Sequence, residues 1–222
     1  MAWRCHGATN GELIDNLLHA RIITHERVAA AMRAVDRAHF APRNPYMDMP
    51  QSIGYGATIS APHMHGYALE YLHEHLQPGM HALDVGSGSG YLSACMASMV
   101  GAGGRVIGID HIPELVQGSQ TALERNYPEW VRDGRVQVVV GDGRQGYADG
   151  APYDCIHVGA AAPATPTEML AQLKAPGRMF VPVGTMSQRI IVYDKDSSGH
   201  VTEHKVMGVQ YVPLTDADKQ RD

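Results

Sequence analysis

A glycine-rich turn joins a strand-like segment to a helix-like one and is suited to hold a ligand. Residues 83–90 read LDVGSGSG, and glycines let a backbone turn sharply and approach a ligand with no Cβ in the way. In a doubly wound sheet, ligands bind at the carboxyl ends of the strands, near the point where strand order reverses. We therefore predict that Gly86, Gly88 and Gly90 belong to a nucleotide-like ligand site.

The spacing of the glycines and a neighbouring charge distinguish two ligand classes. Dinucleotide sites use GxGxxG and face a pyrophosphate, whereas here the spacing is GxGxG and Tyr91 holds the place of the third glycine. Asp84 precedes the turn, and its carboxylate would repel a pyrophosphate. S-adenosylmethionine carries a sulfonium and an ammonium group, so the charge favours this cofactor over a nicotinamide nucleotide.

Two more strand-like segments end in an acid. Asp110 ends the second, where a carboxylate can accept hydrogen bonds from ribose hydroxyls, and Asp142 with Gly143 ends the third, where the pair can flank an adenine. Asp110 could instead cap a helix before Pro113, and the glycines could form a turn without a ligand. Three signals at three strand ends favour a cofactor site.

The elements that position these residues alternate between strand and helix from residue 81 onward. The strand-like runs HALDVG, RVIGID, RVQVVVGD and YDCIHVGA are joined by the helix-sized segments GYLSACMASMV and PELVQGSQTALERN. This alternation indicates parallel strands with crossover helices, and nearly continuous apolar strands indicate a sheet covered on both faces. TEMLAQLK predicts another helix, followed by the strand RMFVPVG. The predicted fold class is α/β, Rossmann-like and doubly wound, with a mostly parallel sheet.

The N-terminal part predicts a helical cap. Thr9 with Glu12 forms a capping box for a first helix, Thr24 can cap a second, and Pro62 suits the first turn of a third helix that runs to about Leu76. Between the second and third helices, residues 42–61 predict a long ordered loop, and loops of that length are usually functional.

We predict a single domain, residues 1–222, in three parts. Residues 1–80 form the helical cap and a substrate loop, residues 81–184 the cofactor-binding core, and residues 185–222 two antiparallel edge strands around an SSG turn. No internal repeat or linker divides the chain. A chain of 222 residues buries roughly 70% of its unfolded surface, so the core needs no disulfide or metal.

Composition and charge narrow the partners. The net charge is −5 without a long basic run, which argues against nucleic acid. The apolar stretches are strand-sized and the N-terminus lacks the apolar run of a secretory signal, so we expect no membrane contact and a cytoplasmic location. Cys5, Cys95 and Cys155 are scattered and fit a reducing compartment rather than a disulfide or zinc framework. No apolar surface stripe is left over, so we expect a monomer.

Motifs along almost the whole chain resemble the protein-L-isoaspartate (D-aspartate) O-methyltransferases, a family that repairs damaged aspartyl and asparaginyl sites. DVGSGSGYL alone would match any class I methyltransferase. The segment ATISAPHMHGYALE is more specific, because it lies outside the shared cofactor core. GIDHIPELV, VVGDGR, APYDCIHVGAAAP, RMFVPVG and GVQYVPLTD agree with the family as well, whereas residues 185–205 carry no recognisable motif.

The resemblance implies a reaction and a set of site residues. The reaction transfers a methyl group from S-adenosylmethionine to the α-carboxylate of an L-isoaspartyl residue in a damaged protein or peptide, leaving S-adenosylhomocysteine. The ester then cyclises to a succinimide, which opens to aspartate or isoaspartate. Ser60 matches the active-site hydroxyl. The predicted cofactor pocket comprises Ala57, Thr58, Ile59, Ser60, His65, Asp84, Gly86, Gly88, Ser89, Gly90, Asp110, His111, Asp142, Gly143 and Thr215.

Some of these residues have plainer interpretations. Ser60 stands just before Ala-Pro, where a serine can cap a helix. His63, His65, His73 and His75 suggest a metal, but residues i and i+2 on a helix point to different faces, so we predict none. Tyr46 and Met47 either line a peptide groove or anchor the loop, and Cys95 and Cys155 are expected to be small core residues.

Two other functions compete with methyl transfer. The first is a nicotinamide-dependent oxidoreductase, against which the glycine spacing and Asp84 argue. The second is a binding protein that keeps the cofactor pocket but has lost the chemistry, against which the intact Ser60 argues.

The predicted chemistry needs no general base. A carboxylate nucleophile is already ionised at neutral pH, so the enzyme mainly has to align it with the methyl carbon and the departing sulfur. The strand RMFVPVG and the loop around residues 53–60 are the candidates for a groove that binds an extended polypeptide.

Overall fold

A computed structural model describes residues 5–221 of the protein. Residues 1–4, which belong to the N-terminal stretch compared above with a secretory signal, lie outside the described residues, as does Asp222. Within the described range, no helix is both long and apolar enough to cross a bilayer.

The N-terminal part folds into three helices and a hairpin: α1 (Asn10–His19), α2 (Glu26–Ala34), β1 (Gln51–Gly54), β2 (Ala57–Ile59) and α3 (Pro62–Leu72). The helical prediction is confirmed. The prediction of an unbroken loop over residues 42–61 is wrong, because β1 and β2 pair antiparallel within it. Three consecutive residues with positive φ, Gly54, Tyr55 and Gly56, make the tight turn between them. Strands of four and three residues are too short to show an alternating pattern.

The predicted capping residue is correct for α1 and wrong for α2. The Oγ1 of Thr9 accepts from the backbone N–H of Glu12 at 3.2 Å, as predicted for a capping box. Thr24, in contrast, does not cap α2, which begins after His25. Its hydroxyl donates to Glu70 of α3 at 2.7 Å, and the same carboxylate accepts from the backbone N–H groups of Thr24 and His25. An acceptor from another helix has replaced the local cap.

A seven-stranded sheet forms the centre of the molecule, with the strand order β5-β4-β3-β6-β7-β8-β9. The strands are β3 (His81–Val85), β4 (Arg105–Asp110), β5 (Val136–Val140), β6 (Tyr153–Val158), β7 (Leu173–Val183), β8 (Gln188–Lys195) and β9 (Val201–Val209). The pairs among β3 to β7 are parallel, and β8 and β9 add antiparallel. The predicted fold class, including the antiparallel strands at the C-terminal edge, is confirmed.

The strand order reverses at β3. The chain runs outward from β3 through β4 to β5 and then returns to place β6 on the other side of β3. This switch point opens a crevice at the carboxyl ends of β3 and β6, which is the edge where open α/β sheets bind ligands. The glycine turn that follows β3 therefore lies where the sequence predicts a ligand site.

Helices connect the sheet to the N-terminal cap. The helices that follow β3 are α4 (Tyr91–Val100), α5 (Pro113–Asn126), α6 (Pro128–Arg132), α7 (Thr167–Ala171) and α8 (Ala217–Arg221). The helix predicted over TEMLAQLK ends early, because Leu173 and Lys174 belong to β7.

Nine of the ten residues of α4 are buried, and α4 contacts α2 on one side and β3 and β4 on the other. Such a helix, apolar all round, fixes the cap onto the sheet. Cys95 in α4 and Cys155 in β6 are core residues, as predicted.

The N-terminal cap is tied together at Asp48. Its buried carboxylate accepts from the backbone N–H of His63 at 3.0 Å, from the Nδ1 of His63 at 2.8 Å and from the backbone N–H of Cys5 at 3.3 Å. Burial alone would raise the pKa of this carboxyl, but the hydrogen bonds from His63 and Cys5 outweigh it and hold the pKa below its usual value. The ionised form is therefore the one that stabilises the fold.

We expect Asp48→Ala to lower the free energy of unfolding at pH 7 by about 3 kcal/mol, because it leaves buried donors without their charged acceptor. Since the folded-state pKa of Asp48 is depressed, its contribution is present above the unfolded value near 3.9 and is lost as pH falls through the folded pKa. Denaturant unfolding of wild type and Asp48→Ala should thus give free energies of unfolding that differ less at pH 3 than at pH 7.

A matched control for that variant is Asp15→Ala. Asp15 pairs with Arg33 at 2.6 Å on the surface, where an ion pair contributes at most about 1 kcal/mol. Equal losses in the two variants would contradict the assignment of Asp48 as the residue that holds the cap.

Candidate active site

The glycine turn after β3 takes a backbone shape that side chains disfavour. Gly86, Gly88 and Gly90 have φ values of 73°, 51° and 84°. A Cβ on Gly90 would lie 3.0 Å from the Cβ of Ser119, so this glycine serves the packing of α4 against α5. The backbone N–H of Gly88 donates to the Oδ2 of Asp110 at 3.0 Å. The turn after β3 is therefore fastened to the end of β4.

Two adjoining cavities share this turn. The first lies at the ends of β3, β4 and β5. Of the predicted cofactor residues it is lined by Ala57, Thr58, Gly86, Gly88, Asp110, His111, Asp142, Gly143 and Thr215. The second is lined, among the same set, by Thr58, Ile59, Ser60, His65, Asp84, Gly86, Gly88 and Ser89. The structure thus brings all the predicted residues together around two connected spaces except Gly90, which lies behind the turn. Their contacts with a cofactor remain predictions.

Asp110 fastens the first cavity from the side of β4. Its Oδ1 accepts from the backbone N–H of Ile112 at 3.0 Å, next to the start of α5, while Oδ2 holds Gly88. Burial raises the pKa of the Asp110 carboxyl, and these two backbone donors offset only part of the rise. The interpretation of Asp110 as a helix cap is wrong, because Ile112 is the N-cap residue of α5 and, within the described residues, no side chain caps that helix. Each carboxylate oxygen keeps a second lone pair, so Asp110 can also accept from a ligand hydroxyl.

Asp142 meets the first cavity from the end of β5. Its carboxylate accepts from the Nε and Nη2 of Arg144 at 2.9 and 2.7 Å, and these hydrogen bonds lower the pKa of Asp142. The neighbouring Gly143 packs so closely against Val85 that a Cβ there would lie 2.5 Å from its Cγ1. The glycine therefore lets the end of β5 lie close to Val85, beside the first cavity.

Asp84 forms the negative wall of the second cavity. Its side chain is buried, with Oδ2 accepting from the hydroxyl of Ser93 at 2.6 Å and Oδ1 lying 2.8 Å from the Nδ1 of His157. His157 stacks on Phe180 and also lines the cavity. Sequence reasoning missed His157, although Asp84 and His157 are register partners on neighbouring strands. Each carboxylate oxygen of Asp84 has one partner and keeps a second lone pair, so Asp84 can act on a ligand through its charge and through a further hydrogen bond.

Ser60 lines the second cavity and neighbours Tyr211, which lines a surface groove. Ala61 is the N-cap residue of α3, and within the described residues no side chain caps that helix. The interpretation of Ser60 as a helix cap is therefore wrong. Its hydroxyl instead contacts the hydroxyl of Tyr211, whose pKa is raised by burial. Tyr211 is held in turn by Gln188, which accepts from its backbone N–H at 2.6 Å and donates to its carbonyl at 3.0 Å.

The groove beyond Ser60 is open to solvent. It runs between the β7–β8 turn, where Met186 is fully exposed, and the segment that follows β9 up to Tyr211 and Leu214. Only the last residue of the predicted RMFVPVG strand, Gly184, lines it, and the 53–60 loop lines other cavities. Tyr46 anchors the N-terminal cap by donating to Asp36 at 3.0 Å, whereas Met47 is exposed.

The C-terminal segment covers the first cavity. Leu214, Thr215 and Gln220 line it from outside. The segment is attached by Asp216, which pairs with Arg144 at 2.9 Å, and by Gln220, whose Oε1 lies 2.6 Å from the Nε2 of His111. We call residues 211–221 the closing segment. Within the described residues, no three His, Cys, Asp or Glu side chains converge as a metal site would require.

A mostly parallel seven-stranded sheet, with a glycine turn after β3 and acids at the ends of β4 and β5, defines a class I methyltransferase fold. The family model that describes protein-L-isoaspartate(D-aspartate) O-methyltransferase matches residues 8–219. The chain belongs to this family.

Individual relatives agree. The chain is 50% identical over 221 residues to the protein-L-isoaspartate O-methyltransferase of Caenorhabditis elegans, covering 99% of this chain and 98% of the relative. It is 52% identical over 214 residues to that of Triticum aestivum, covering 95% and 93%. Its structure is similar, with a TM-score of 0.88 and 31% identity, to a Plasmodium falciparum protein described as a putative member of the family in complex with S-adenosyl-L-homocysteine. That match covers 94% of this chain and 99% of the other.

Proposed function

We infer that this protein transfers a methyl group from S-adenosylmethionine to the α-carboxylate of L-isoaspartyl residues in damaged proteins and peptides. The resulting ester cyclises to a succinimide, which opens to aspartate or isoaspartate. Membership of the family supports the reaction. The observation that carries it in this chain is the place of Ser60, in an acid-lined cavity and next to Tyr211, which lines an open groove.

The residues around the two cavities fit this cofactor. The hydroxyl of Ser87 lies buried in the wall of the second cavity with no hydrogen-bond partner among residues 5–221, so it is available to a ligand. Asp84 supplies negative charge for the ammonium and sulfonium groups. Asp110 and His111 would hold the ribose, and Asp142 with Gly143 the adenine. When bound, the cofactor supplies the methyl group on a positively charged sulfur.

The protein's part in the reaction is orientation. The bond from carboxylate oxygen to methyl carbon forms as the bond from methyl carbon to sulfur breaks, and no proton has to move. Burial, with the positive charge of Arg37, keeps the pKa of His65 well below its usual value, so this histidine is neutral. The Ser60 hydroxyl, placed by Tyr211, donates to the carboxylate and fixes its direction. A damaged, locally unfolded polypeptide would lie extended in the groove beyond Ser60.

We propose that the protein works as a monomer in the cytoplasm, on polypeptides rather than on nucleic acid or membranes. Its net charge of −5 opposes binding to polyanions, and its free, buried thiols Cys5, Cys95 and Cys155 suit a reducing compartment.

The function is tested by incubating the protein with methyl-labelled S-adenosylmethionine and an isoaspartyl peptide. We expect a base-labile methyl ester on the peptide and an equal amount of S-adenosylhomocysteine. Binding of S-adenosylhomocysteine without any ester would favour a protein that has lost the chemistry. A rise in melting temperature with a nicotinamide nucleotide, and none with S-adenosylhomocysteine, would favour an oxidoreductase.

Asp110 gives a second test, of the cofactor site itself. We expect Asp110→Ala to weaken binding of S-adenosylhomocysteine by about 1.5–3 kcal/mol, the range for a hydrogen bond to a charged group. Because burial raises the pKa of Asp110, wild-type affinity should begin to fall in acid at a higher pH than an ordinary aspartate with a pKa near 3.9 would cause. Calorimetry from pH 4 to 8 measures both effects.

The matched control is Asp149→Ala, an exposed acid outside both cavities, which should leave affinity and its pH dependence unchanged. An unchanged dissociation constant in Asp110→Ala would remove Asp110 from the cofactor site.

A further inference from the structure

Arg37 is a buried cation without an anionic partner. It lies in the short turn after α2, and its side chain is 0% exposed. Its guanidinium carbon lies 5.3 Å from the centre of the Tyr91 ring, and no carboxylate within residues 5–221 pairs with it. Its Nε has no hydrogen-bond partner in the described part of the chain. Burying an unpaired charge is costly, so a fold that keeps one here indicates a use for it.

The contacts of Arg37 lead to the wall of the second cavity. Its Nη2 donates to the carbonyl oxygen of Ser60 at 2.8 Å, and its Nη1 lies 3.2 Å from the Nδ1 of His65. A guanidinium can only donate, so Nδ1 of His65 is the acceptor and carries no proton. In a neutral imidazole the proton then resides on Nε2. Arg37 thereby fixes the tautomer of His65.

We propose that Arg37 is a positioning residue that makes His65 a fixed Nε2–H donor for the carboxylate at the amino-acid end of the cofactor. His65 lines the second cavity together with Ser60 and Ser89. The cation behind the imidazole polarises it toward an anion, and charge-assisted hydrogen bonds of this kind are the strong ones. The inference rests on the cofactor of the proposed function and adds a residue that the motif comparison did not include.

The charges around the second cavity select which group of the ligand meets His65. Asp84 and His157 stand on the β3–β6 side, where the negative charge suits an ammonium. His65 is only 7% exposed and lies on the α3 side, where the nearest buried charge is the positive Arg37. The Ser60 hydroxyl neighbours that of Tyr211, which lines the groove, and the proposed function assigns this hydroxyl to the substrate carboxylate. The cofactor carboxylate is the anion left for His65.

The experiment compares two ligands on three proteins. Dissociation constants of S-adenosylhomocysteine and of 5′-methylthioadenosine, which lacks the amino-acid part, are measured for wild type, Arg37→Met and Arg37→Lys. We expect Arg37→Met to weaken S-adenosylhomocysteine about ten- to a hundredfold and to leave 5′-methylthioadenosine within about twofold. Arg37→Lys, which keeps a donor and a charge, should recover part of the loss. In a His65→Gln background, Arg37→Met should cost S-adenosylhomocysteine little more.

Equal weakening of both ligands by Arg37→Met would overturn the proposal, because a residue that only shapes the fold affects both alike. A second measurement needs no variant of Arg37. In the wild-type protein, the ¹⁵N spectrum of His65, assigned by its loss in His65→Gln, should show an unprotonated, hydrogen-bonded Nδ1 and a protonated Nε2. A proton on Nδ1 would also overturn the proposal. Wild type that binds neither ligand would instead contradict the proposed function.

Discussion

A peptide with one L-isoaspartyl residue should be methylated at least about a hundredfold faster than the same peptide with a normal aspartyl residue. The isoaspartyl linkage carries the chain through the side-chain carboxyl, so the free carboxylate lies at a different distance from the backbone. An aligned displacement loses about a hundredfold in rate for a misplacement near 1 Å. Here the backbone would be held in the groove beside Tyr211, while Ser60 directs the carboxylate. Initial rates of label transfer to the two synthetic peptides measure the ratio.

A scrambled peptide that keeps the isoaspartyl residue provides the control, and it should remain a substrate if the groove reads mainly backbone. Similar rates for the isoaspartyl and aspartyl peptides would refute repair specificity while leaving methyl transfer intact.

We expect Ser60→Ala to reduce the rate roughly ten- to a hundredfold, because it removes one hydrogen bond to a charged carboxylate. Affinity for S-adenosylhomocysteine should change little if the hydroxyl faces the substrate. The melting temperature should stay near that of wild type, since Ala61 and not Ser60 is the N-cap residue of α3. The pH profile of kcat/KM should lack a base titration near neutrality in both proteins, because an unshifted α-carboxyl titrates at about pH 3–4.

Ser198→Ala is a matched control, since this serine lies in the exposed β8–β9 turn and donates only to Asp196. Wild-type turnover by folded Ser60→Ala would remove this hydroxyl from the reaction. A large loss of cofactor affinity would move Ser60 from the substrate side to the cofactor side.

Much of the fold could be predicted because its signals are local. The glycines after β3 and the acids that end β4 and β5 mark the carboxyl edge of a parallel sheet, and continuous apolar runs mark its buried strands. The β1–β2 hairpin escaped prediction because its strands are short and its turn contains Tyr55 in a conformation that favours glycine. Thr24 was misassigned because Glu70, far along the chain, competes for the same donors.

The candidate site was predictable only where a motif carried it. His157 reaches Asp84 because β6 returns to the side of β3, and Tyr211 reaches Ser60 because the chain crosses back after β9. Arg37 is charged, and charged side chains are ordinarily exposed, so nothing in its local sequence indicates full burial. Each of these residues acts through a partner that only the tertiary fold supplies.

The closing segment contributes both to the first cavity and to the surroundings of Ser60. Residues 211–221 border the first cavity and are attached beside it by polar contacts at the surface, which water can replace when they break. Tyr211, the neighbour of Ser60, belongs to the same segment, so a displacement of the segment would also remove the neighbour of the Ser60 hydroxyl. A displacement of residues 211–221 would therefore change the first cavity and the surroundings of Ser60 together.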